Sequence, residues 1–578
     1  MTSTLTPPLT PAPTSAVPAQ RIVIVGGVAG GMSAATRLRR LDESADIVVF
    51  ERGSYVSFAN CGLPYYVGGA IENRASLLLQ TPQSLFDRFR LDVRVKHEVI
   101  AIDRENRRVI VRDLLTGTTH SEEYDSLILA GGAQSRTGVA GGEMLVRTLR
   151  SVEDVDVITA ELSDARPSAR VVVIGGGFIG LEAVENLVRR GLNVTLVHRG
   201  AHPLSPLDAE MATPVLEALT RHGVDVRTET SVTSLAQNQV HLSDGSTIDA
   251  TLVIEASGVI PDTGLAAEAG LTIGAAGGIA VDAFQRTNDP SIYAVGDGAE
   301  KVDAIDNAAT LVTMAGLANR HGRSAADAIY GDAEPSTPAL ATAIVGVFDL
   351  TVALVGWNER RLRAAGRPHR VVHTHPLSHA GYYPGAEQMA LKLLIDADTD
   401  LILGAQIVGR DGVDKRIDVI ATAMAGGLTA SALSRLELAY APQFGSAKDA
   451  VNLAGYVADN LRTGATRSIQ WHELANARAH GAILIDVRSA AEFERGRIPG
   501  AINLPLDEIR ERVGELPDAV LIVHCQVGQR GHTAARLLTQ LGRDVRNLDG
   551  GFTTWQAGSL TIRPADVSEE KEHDYAIQ

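Results

Sequence analysis

The strongest constraint on the fold is a local pattern that the chain carries twice. Arg21-Ile22-Val23-Ile24-Val25 runs into Gly26-Gly27-Val28-Ala29-Gly30-Gly31, and residues 32–41 then have helical spacing with basic residues on one side. Arg170-Val171-Val172-Val173-Ile174 runs into Gly175-Gly176-Gly177-Phe178-Ile179-Gly180, with a helix expected over 181–190. An apolar strand that turns through glycines into a helix lets backbone N–H groups at the helix start approach a pyrophosphate. Each copy therefore predicts a parallel α/β unit with a dinucleotide at its strand ends. The second copy fits G-x-G-x-x-G in full, whereas Val28 takes the middle glycine position of the first. Ile47-Val48-Val49-Phe50-Glu51 reads as the next strand of the first unit, and its carboxylate falls about 20 positions after the glycines, where a ribose hydroxyl needs an acceptor. In the second unit Asn193-Val194-Thr195-Leu196-Val197 ends in His198-Arg199 instead. A cationic pair there suits a 2′-phosphate, so NADPH, alone or alongside NADH, is expected.

A chain of 578 residues exceeds one hydrophobic core and should divide into about three or four domains. Its net charge of −16 argues against nucleic acid or an anionic membrane surface as the main partner. No apolar run approaches the roughly 20 residues of a membrane span, and two cysteines make no disulfide framework, so a reducing cytoplasm is the expected setting. Residues 1–20, rich in Thr, Pro and Ala, read as a disordered tail, and 566–578 are set apart as a second tail. No metal-ligand set is expected.

Both cysteines stand in stretches suited to chemistry. The first lies in Ser57-Phe58-Ala59-Asn60-Cys61-Gly62-Leu63-Pro64-Tyr65-Tyr66. Dithiol reductases of the flavin class use Cys-x4-Cys, and the position five on from Cys61 is Tyr66, so this thiol has no sequence neighbour for a disulfide. A redox cycle through it must use a sulfur or oxygen from a small molecule, giving a mixed disulfide, a persulfide or a sulfenic acid. A helix expected over 62–68 would help to hold it as a thiolate. The second thiol follows Val520-Leu521-Ile522-Val523-His524 in Cys525-Gln526-Val527-Gly528-Gln529-Arg530. A cysteine between a strand and a helix has successive N–H groups and the helix dipole to stabilise a thiolate or persulfide anion, and Arg530 would add charge at the rim. The Cys-x4-Arg spacing is one residue shorter than the loop that fits a phosphoryl group, which favours sulfur.

Further on, 124–133 reads as a return strand, and Thr287-Asn288-Asp289-Pro290-Ser291-Ile292-Tyr293-Ala294-Val295-Gly296-Asp297 as a loop, a strand and a Gly-Asp turn. Asp297 is placed to accept a hydrogen bond from a polyol, which points to FAD rather than a second NAD. With GGVAGG, SFANCGLPY, GGGFIGLE and IYAVGD in this order, residues 21 to about 464 resemble the FAD-dependent pyridine nucleotide–disulfide oxidoreductases. The resemblance is to their single-cysteine branch, which contains coenzyme A disulfide reductases, NADH oxidases, NADH peroxidases and persulfide reductases. It implies one FAD per subunit against Gly26, Gly31, Glu51 and Asp297. It also implies a nicotinamide nucleotide against Gly175, Gly177 and Gly180, with Glu182 beside the flavin. Tyr382 and Tyr440 match two tyrosines that coenzyme A disulfide reductases present across a homodimer, where a phenol near a thiolate can donate a hydrogen bond or a proton to the departing sulfur. Asn60, Arg37 and Arg40, with Arg39 between the two arginines, are the expected contacts to substrate or to coenzyme A phosphates. The alternative for the arginines is a solvated basic face.

The last stretch resembles a rhodanese domain, the sulfurtransferase module. Ala482-Ile483-Leu484-Ile485-Asp486-Val487-Arg488, the Cys525 loop and Gly550-Gly551-Phe552-Thr553-Thr554-Trp555 carry that resemblance in order. The implied class is α/β, with two Rossmann-like domains: FAD-binding (21–150 and 258–335) and NAD(P)H-binding (151–257). An α+β dimerisation domain (336–464) and a C-terminal α/β rhodanese domain (468–565) follow. The implied activity is NAD(P)H-dependent reduction of coenzyme A disulfide, coenzyme A persulfide or polysulfide through Cys61, with Cys525 carrying sulfane sulfur. The alternatives are an NADH oxidase or peroxidase cycling Cys61 as a sulfenic acid, and a redox-sensing sulfur-delivery protein.

Overall fold

A computed structural model describes residues 19–138, 146–163 and 169–561. The two expected tails, apart from residues 19 and 20, lie outside the described residues. The first glycine unit forms a parallel sheet in the order Ile292–Ala294, Ser126–Leu129, Arg21–Val25, Asp46–Glu51, Asp92–Val95. Ile22, Val23 and Ile24 are all fully buried, because helices or loops cover both faces; the strand therefore reads as an unbroken apolar run rather than an alternating one. The chain leaves this sheet after Ser126–Leu129 and comes back to it at Ile292–Ala294. In between it builds a second parallel sheet, ordered Asp225–Arg227, Asn193–Val197, Arg170–Ile174, Leu252–Glu255, Val146–Arg147.

A third sheet is antiparallel, in the order Ala343–Val347, Leu350–Gly356, Ile402–Gly409, Ala390–Asp396, His369–Thr374. Helices Val413–Ala425 and Ala450–Arg462 share its core through Ile417, Ile420, Val451 and Ala454. The fourth sheet is parallel again and runs Ser468–Ile469, Val545–Leu548, Leu521–His524, Ile483–Asp486, Ile502–Asn503.

The first three sheets are not separable beads. Leu63, Val67 and Leu77, behind Cys61, belong to the same apolar core as Leu181, Val184 and Leu187 of the second unit and Val347 and Val352 of the third sheet. The fourth sheet has cores of its own, one around Val523 and Leu538 and one around Leu484 and Ile522. Its region meets the rest through helix Gly551–Ser559, which lies on helix Ala209–Arg221 of the second unit, and Thr213 donates a hydrogen bond to the Ala557 carbonyl at 2.8 Å.

A buried charge cluster sits at this junction. Lys392, 0% exposed, places its ammonium 2.9 Å from Asp208, 2.5 Å from Glu210 and 2.6 Å from Glu359. Ligand atoms of those three carboxylates are near enough to one another to hold a metal ion, and the lysine ammonium is the cation placed among them. Each ion would cost several kcal/mol to bury alone, so the cluster persists only because every carboxylate meets a donor. No helix among the described residues is long and apolar enough to cross a membrane.

Candidate active site

The two glycine turns are the same structure. Gly26 and Gly175 both have φ of +105°, and a Cβ at either would meet a carbonyl oxygen, of Ala130 or Ala256, at 2.3 Å. At Gly31 and Gly180 a Cβ would lie 1.9 Å from the carbonyl oxygens of Gly26 and Gly175. The middle position is different: Val28 has φ of −113° and Gly177 of −81°, both open to any side chain, and nothing lies within 4 Å of a Cβ at Gly177. That explains why valine is tolerated where the fingerprint has glycine. Helices Ala29–Leu41 and Phe178–Arg189 both start without a side-chain cap or an acidic first turn. Their terminal N–H groups and dipoles are thus left for phosphate, and the turns fit a dinucleotide each.

Glu51 finishes the first turn. Its Oε2 accepts the Gly27 N–H at 2.8 Å and its Oε1 the Gly53 N–H at 2.6 Å, and a carboxylate with about four acceptor sites keeps capacity for ribose hydroxyls. Gly26→Ala should prevent binding of the flavin expected at this turn, because the new methyl occupies the space of the Ala130 carbonyl; the ratio of visible to ultraviolet absorbance of the purified protein measures this. Asp297 lies in the turn Gly296–Gly298, which the buried Lys301 braces by donating to the carbonyls of Gly296 and Ala299 at 2.5 and 2.7 Å. Burial pushes the Asp297 carboxyl up and pulls Lys301 down to about 8.

The second turn corrects one expectation. His198 stands where Glu51 stands in the first, and its Nδ1 accepts the Gly176 N–H at 3.1 Å. That bond needs a neutral ring, and burial, with His202 and Arg199 nearby, lowers the pKa of the imidazole. The expected cationic pair is therefore one cation, the exposed Arg199, beside a neutral brace.

Cys61 is exposed, in the short turn Asn60–Gly62, with Asn60 exposed beside it. The helix behind it is only Leu63–Val67, and the expected bias toward thiolate is not what the site provides. Partial shielding of the sulfur from water, and then the carboxylates of Glu182 and Asp297, push the thiol up instead. Glu182 is itself raised by burial and accepts a hydrogen bond from the Tyr65 hydroxyl at 3.2 Å; burial and Glu182 push that phenol up to about 12. Tyr65 and Glu182 open onto a cavity of about 410 Å³ whose far side is Val345, Thr351, Arg410 and Asp414 of the third-sheet region.

The three arginines of the first helix divide. Arg39 is buried and donates to the backbone carbonyls of Phe89, Glu43 and Arg90 at 2.8, 2.7 and 3.1 Å, so it braces the fold. Arg37 pairs with Asp327 at 2.5 Å, and Arg40 is exposed. Tyr382 and Tyr440 come together, their hydroxyls 2.8 Å apart, and they are 76% and 49% exposed, with Phe444 at 67% on the same pair of loops. Nothing among the described residues covers these rings, which leaves an aromatic patch in contact with solvent.

Cys525 is 1% exposed, at the end of strand Leu521–His524 and ahead of helix Gln529–Gln540. The N–H groups of Phe552 and Thr553 take the carbonyls of Cys525 and Gln526 at 2.8 and 3.0 Å. With its carbonyls held outward, the loop keeps its own N–H groups for an anion at sulfur. Arg530 is near enough to act on Cys525, but its guanidinium is also shared by Glu492 at 2.8 and 2.6 Å, which holds that carboxyl at about 2. Arg488, unflagged as a site residue by the sequence, grips Asp486 at 2.7 Å, lies 4.5 Å over the Phe552 ring and donates to the Gln526 side chain at 3.0 Å. An arginine ending a strand of the Cys525 sheet was its only sequence signal; Tyr65 had only its place at the end of the SFANCGLPY stretch, and Glu492 had none.

Comparison with known proteins agrees with this geometry. Residues 20–311 match the pyridine nucleotide-disulphide oxidoreductase family, 342–451 its dimerisation domain, and 470–558 the rhodanese-like domain. The chain is 36% identical to the coenzyme A disulfide reductase of Staphylococcus aureus strain JH9 over 439 residues, 76% of this chain and 99% of that one. The crystal structure of reduced Bacillus anthracis CoADR-RHD is similar with a TM-score of 0.92 and 45% identity, covering 93% of this chain and 98% of that one. A NAD-dependent persulfide reductase from A. fulgidus is similar with a TM-score of 0.87 and 35% identity, covering 93% and 100%.

Proposed function

The chain belongs to the pyridine nucleotide-disulphide oxidoreductase family, and from that premise we propose that it reduces the sulfur–sulfur bond of coenzyme A disulfide, coenzyme A persulfide or polysulfide with NAD(P)H, and that Cys525 carries sulfane sulfur. The observation that carries this reading is the state of the two thiols. Both are free; Cys61 is exposed and feels the charges of Glu182 and Asp297, and Cys525 is buried in a separate core. Neither can close a disulfide with the other in this arrangement, so the sulfur that Cys61 meets comes from substrate.

In the proposed cycle the Cys61 thiolate attacks one substrate sulfur, forms a mixed disulfide and releases the other sulfur as thiolate. FAD, when bound against Gly26, Gly31, Glu51 and Asp297, would supply the electron pair taken from NAD(P)H. Two electrons then cleave the mixed disulfide, free the second thiol and restore Cys61. The balance for a disulfide is RSSR + NAD(P)H + H⁺ → 2 RSH + NAD(P)⁺; for a persulfide, RSSH yields RSH and H₂S. Glu182 and Asp297 add to burial in raising the thiol's pKa, so the group rests as the thiol, and the thiolate, once formed, is a stronger nucleophile and a poorer leaving group. Tyr382 and Tyr440 of a second copy would protonate the departing sulfur.

Steady-state turnover with coenzyme A disulfide, coenzyme A persulfide, polysulfide and O₂, each with NADH and NADPH, tests the proposal. Turnover on at least one sulfur substrate, with one NAD(P)H consumed per S–S bond, is the expected result. Rapid O₂ reduction with no activity on any sulfur substrate would overturn it.

A further inference from the structure

The rhodanese-like region is attached to the reductase body at the back of its own cysteine loop. Strand His369–Thr374 runs along the junction, and the main-chain N–H of His373 donates to Asp549 Oδ2 at 2.9 Å. The ring of His373 is held from both sides, Nδ1 to the same Asp549 oxygen at 2.8 Å and Nε2 to Glu210 of helix Ala209–Arg221 at 3.0 Å. Gln470 also reaches Asp549 at 3.2 Å, and His375 Nε2 meets the Thr554 hydroxyl at 2.8 Å.

Asp549 leads directly into Gly550 and Gly551, both left-handed, with φ of +66° and +64°. A Cβ at Gly551 would meet the Cys525 carbonyl oxygen at 2.5 Å and the Gly528 nitrogen at 2.7 Å; one at Gly550 would meet the His373 Cβ at 2.9 Å. The turn is thus wedged between the reductase strand and the cysteine loop. The next two residues supply the Phe552 and Thr553 N–H groups that hold the carbonyls of that loop. Glu210, His373, Asp549, the glycine turn and Cys525 form one unbroken line of contacts.

We propose that His373, a residue of the reductase body, is a positioning residue for Cys525: through Asp549 it fixes the Gly550-Gly551 turn, so the sulfur-carrying loop is completed only on the docked, full-length chain. The proposal rests on the sulfurtransferase reading of Cys525, because it names a part of that same site.

The pH dependence follows from the groups that face the imidazole. They are Asp549 ahead of helix Gly551–Ser559, Glu210 of helix Ala209–Arg221, Lys392 of the neighbouring strand, and His375 on its own segment. Burial pulls His373 down, but the bonds to Asp549 and Glu210 outweigh burial and the Lys392 charge and hold its pKa at about 9. Burial and His373 hold His375 at about 3, so it stays neutral. A histidine raised above its ordinary value of about 6.5 contributes fully below that pH, and its contribution is lost as pH rises through about 9.

Sulfur transfer from thiosulfate to cyanide, S₂O₃²⁻ + CN⁻ → SO₃²⁻ + SCN⁻, reads the Cys525 loop, and NAD(P)H consumption reads Cys61 in the same samples. In full-length protein His373→Leu should lower the kcat of sulfur transfer on the order of tenfold at neutral pH, the cost of losing a charge-assisted contact, while disulfide reduction stays within about twofold. Wild-type transfer should decline above about pH 9, and the variant should lack that decline. Asp549→Asn should reproduce the loss from the other side, and His373→Asn, which keeps a neutral donor, should restore part of kcat but not the alkaline decline. Unchanged transfer, or reductase activity falling in step with it, overturns the proposal. If the wild type transfers no sulfur, the sulfurtransferase reading fails, and positioning is judged by alkylation of Cys525 in a Cys61→Ser chain. His373→Leu should then expose the buried thiol and speed alkylation several-fold, and an unchanged rate overturns the proposal.

Discussion

Cys61→Ser is expected to cut NAD(P)H consumption on coenzyme A disulfide or persulfide by on the order of a thousandfold or more, the scale seen when a covalent nucleophile is removed. Serine forms no sulfur–sulfur bond, so the mixed disulfide cannot form. The only other thiol of the chain is 1% exposed and packed in a different core, so it cannot deputise. Cys525→Ser is the matching control and should leave reduction of coenzyme A disulfide within about twofold, since that half of the chemistry never uses it. Stopped or steady-state oxidation of NAD(P)H decides the matter. Unchanged consumption by Cys61→Ser would sink the proposed function.

Lys392→Met should cost about 3–5 kcal/mol of stability, as expected when one partner of a buried ionic group is removed. The methionine fills the space, but Asp208, Glu210 and Glu359 lose the ammonium that all three share. An exposed pair provides the contrast. Arg462 and Asp459, 48% and 43% exposed, are 2.7 Å apart, and Arg462→Ala should leave the denaturation midpoint essentially unchanged. Glu210 and Glu359 have pKa values that burial alone would raise; Lys392 and their histidine partners instead hold them well below the carboxylate range. A depressed carboxylate stabilises above its ordinary pKa and loses that contribution as pH falls through its folded value. In the Met variant the sign reverses, because the carboxylates are then cheapest to bury when protonated. Denaturant midpoints should show the deficit shrinking as the pH is lowered. A deficit below about 1 kcal/mol, or one independent of pH, would contradict this account of the cluster.

Most of the architecture could be read from local pattern, because strand, glycine turn and helix are contiguous in the chain. Gly31 and Gly180 lie against the carbonyls of Gly26 and Gly175 five residues before them, so spacing alone carries that contact, whereas the Ala130 and Ala256 carbonyls against Gly26 and Gly175 follow distant strands. Cys525 was equally legible between a strand and a helix. What escaped the sequence is long-range. Lys392 meets Asp208, Glu210 and Glu359, and His373 meets Glu210 and Asp549, in contacts that join segments from three sheets. No periodicity marks such residues, since each one looks like an ordinary polar position in its own element. His198 and Arg39 were misjudged for a related reason. Their charge type was visible, but its use depended on backbone atoms brought close by folding: the Gly176 N–H for one and the carbonyls of Phe89, Glu43 and Arg90 for the other. The short helix after Cys61 misled differently, because it is shorter than the stretch suggested and the two carboxylates that raise the thiol's pKa come from other parts of the chain.

The shared core beneath Cys61 determines which pieces of this protein can be exchanged for those of a relative. Leu63 and Val67 are packed with side chains of the second unit and of the third sheet, so a graft that ends at any one of those boundaries leaves mismatched shapes beneath the reactive thiol. The reductase body is inherited as a block. The rhodanese-like region has cores of its own and can be swapped whole, provided the donor brings an acidic residue to receive His373 and a helix that fits Ala209–Arg221. Modularity in this chain is therefore a property of its hydrophobic cores, and the seams between domains that a sequence comparison draws do not all coincide with places where the protein can be cut.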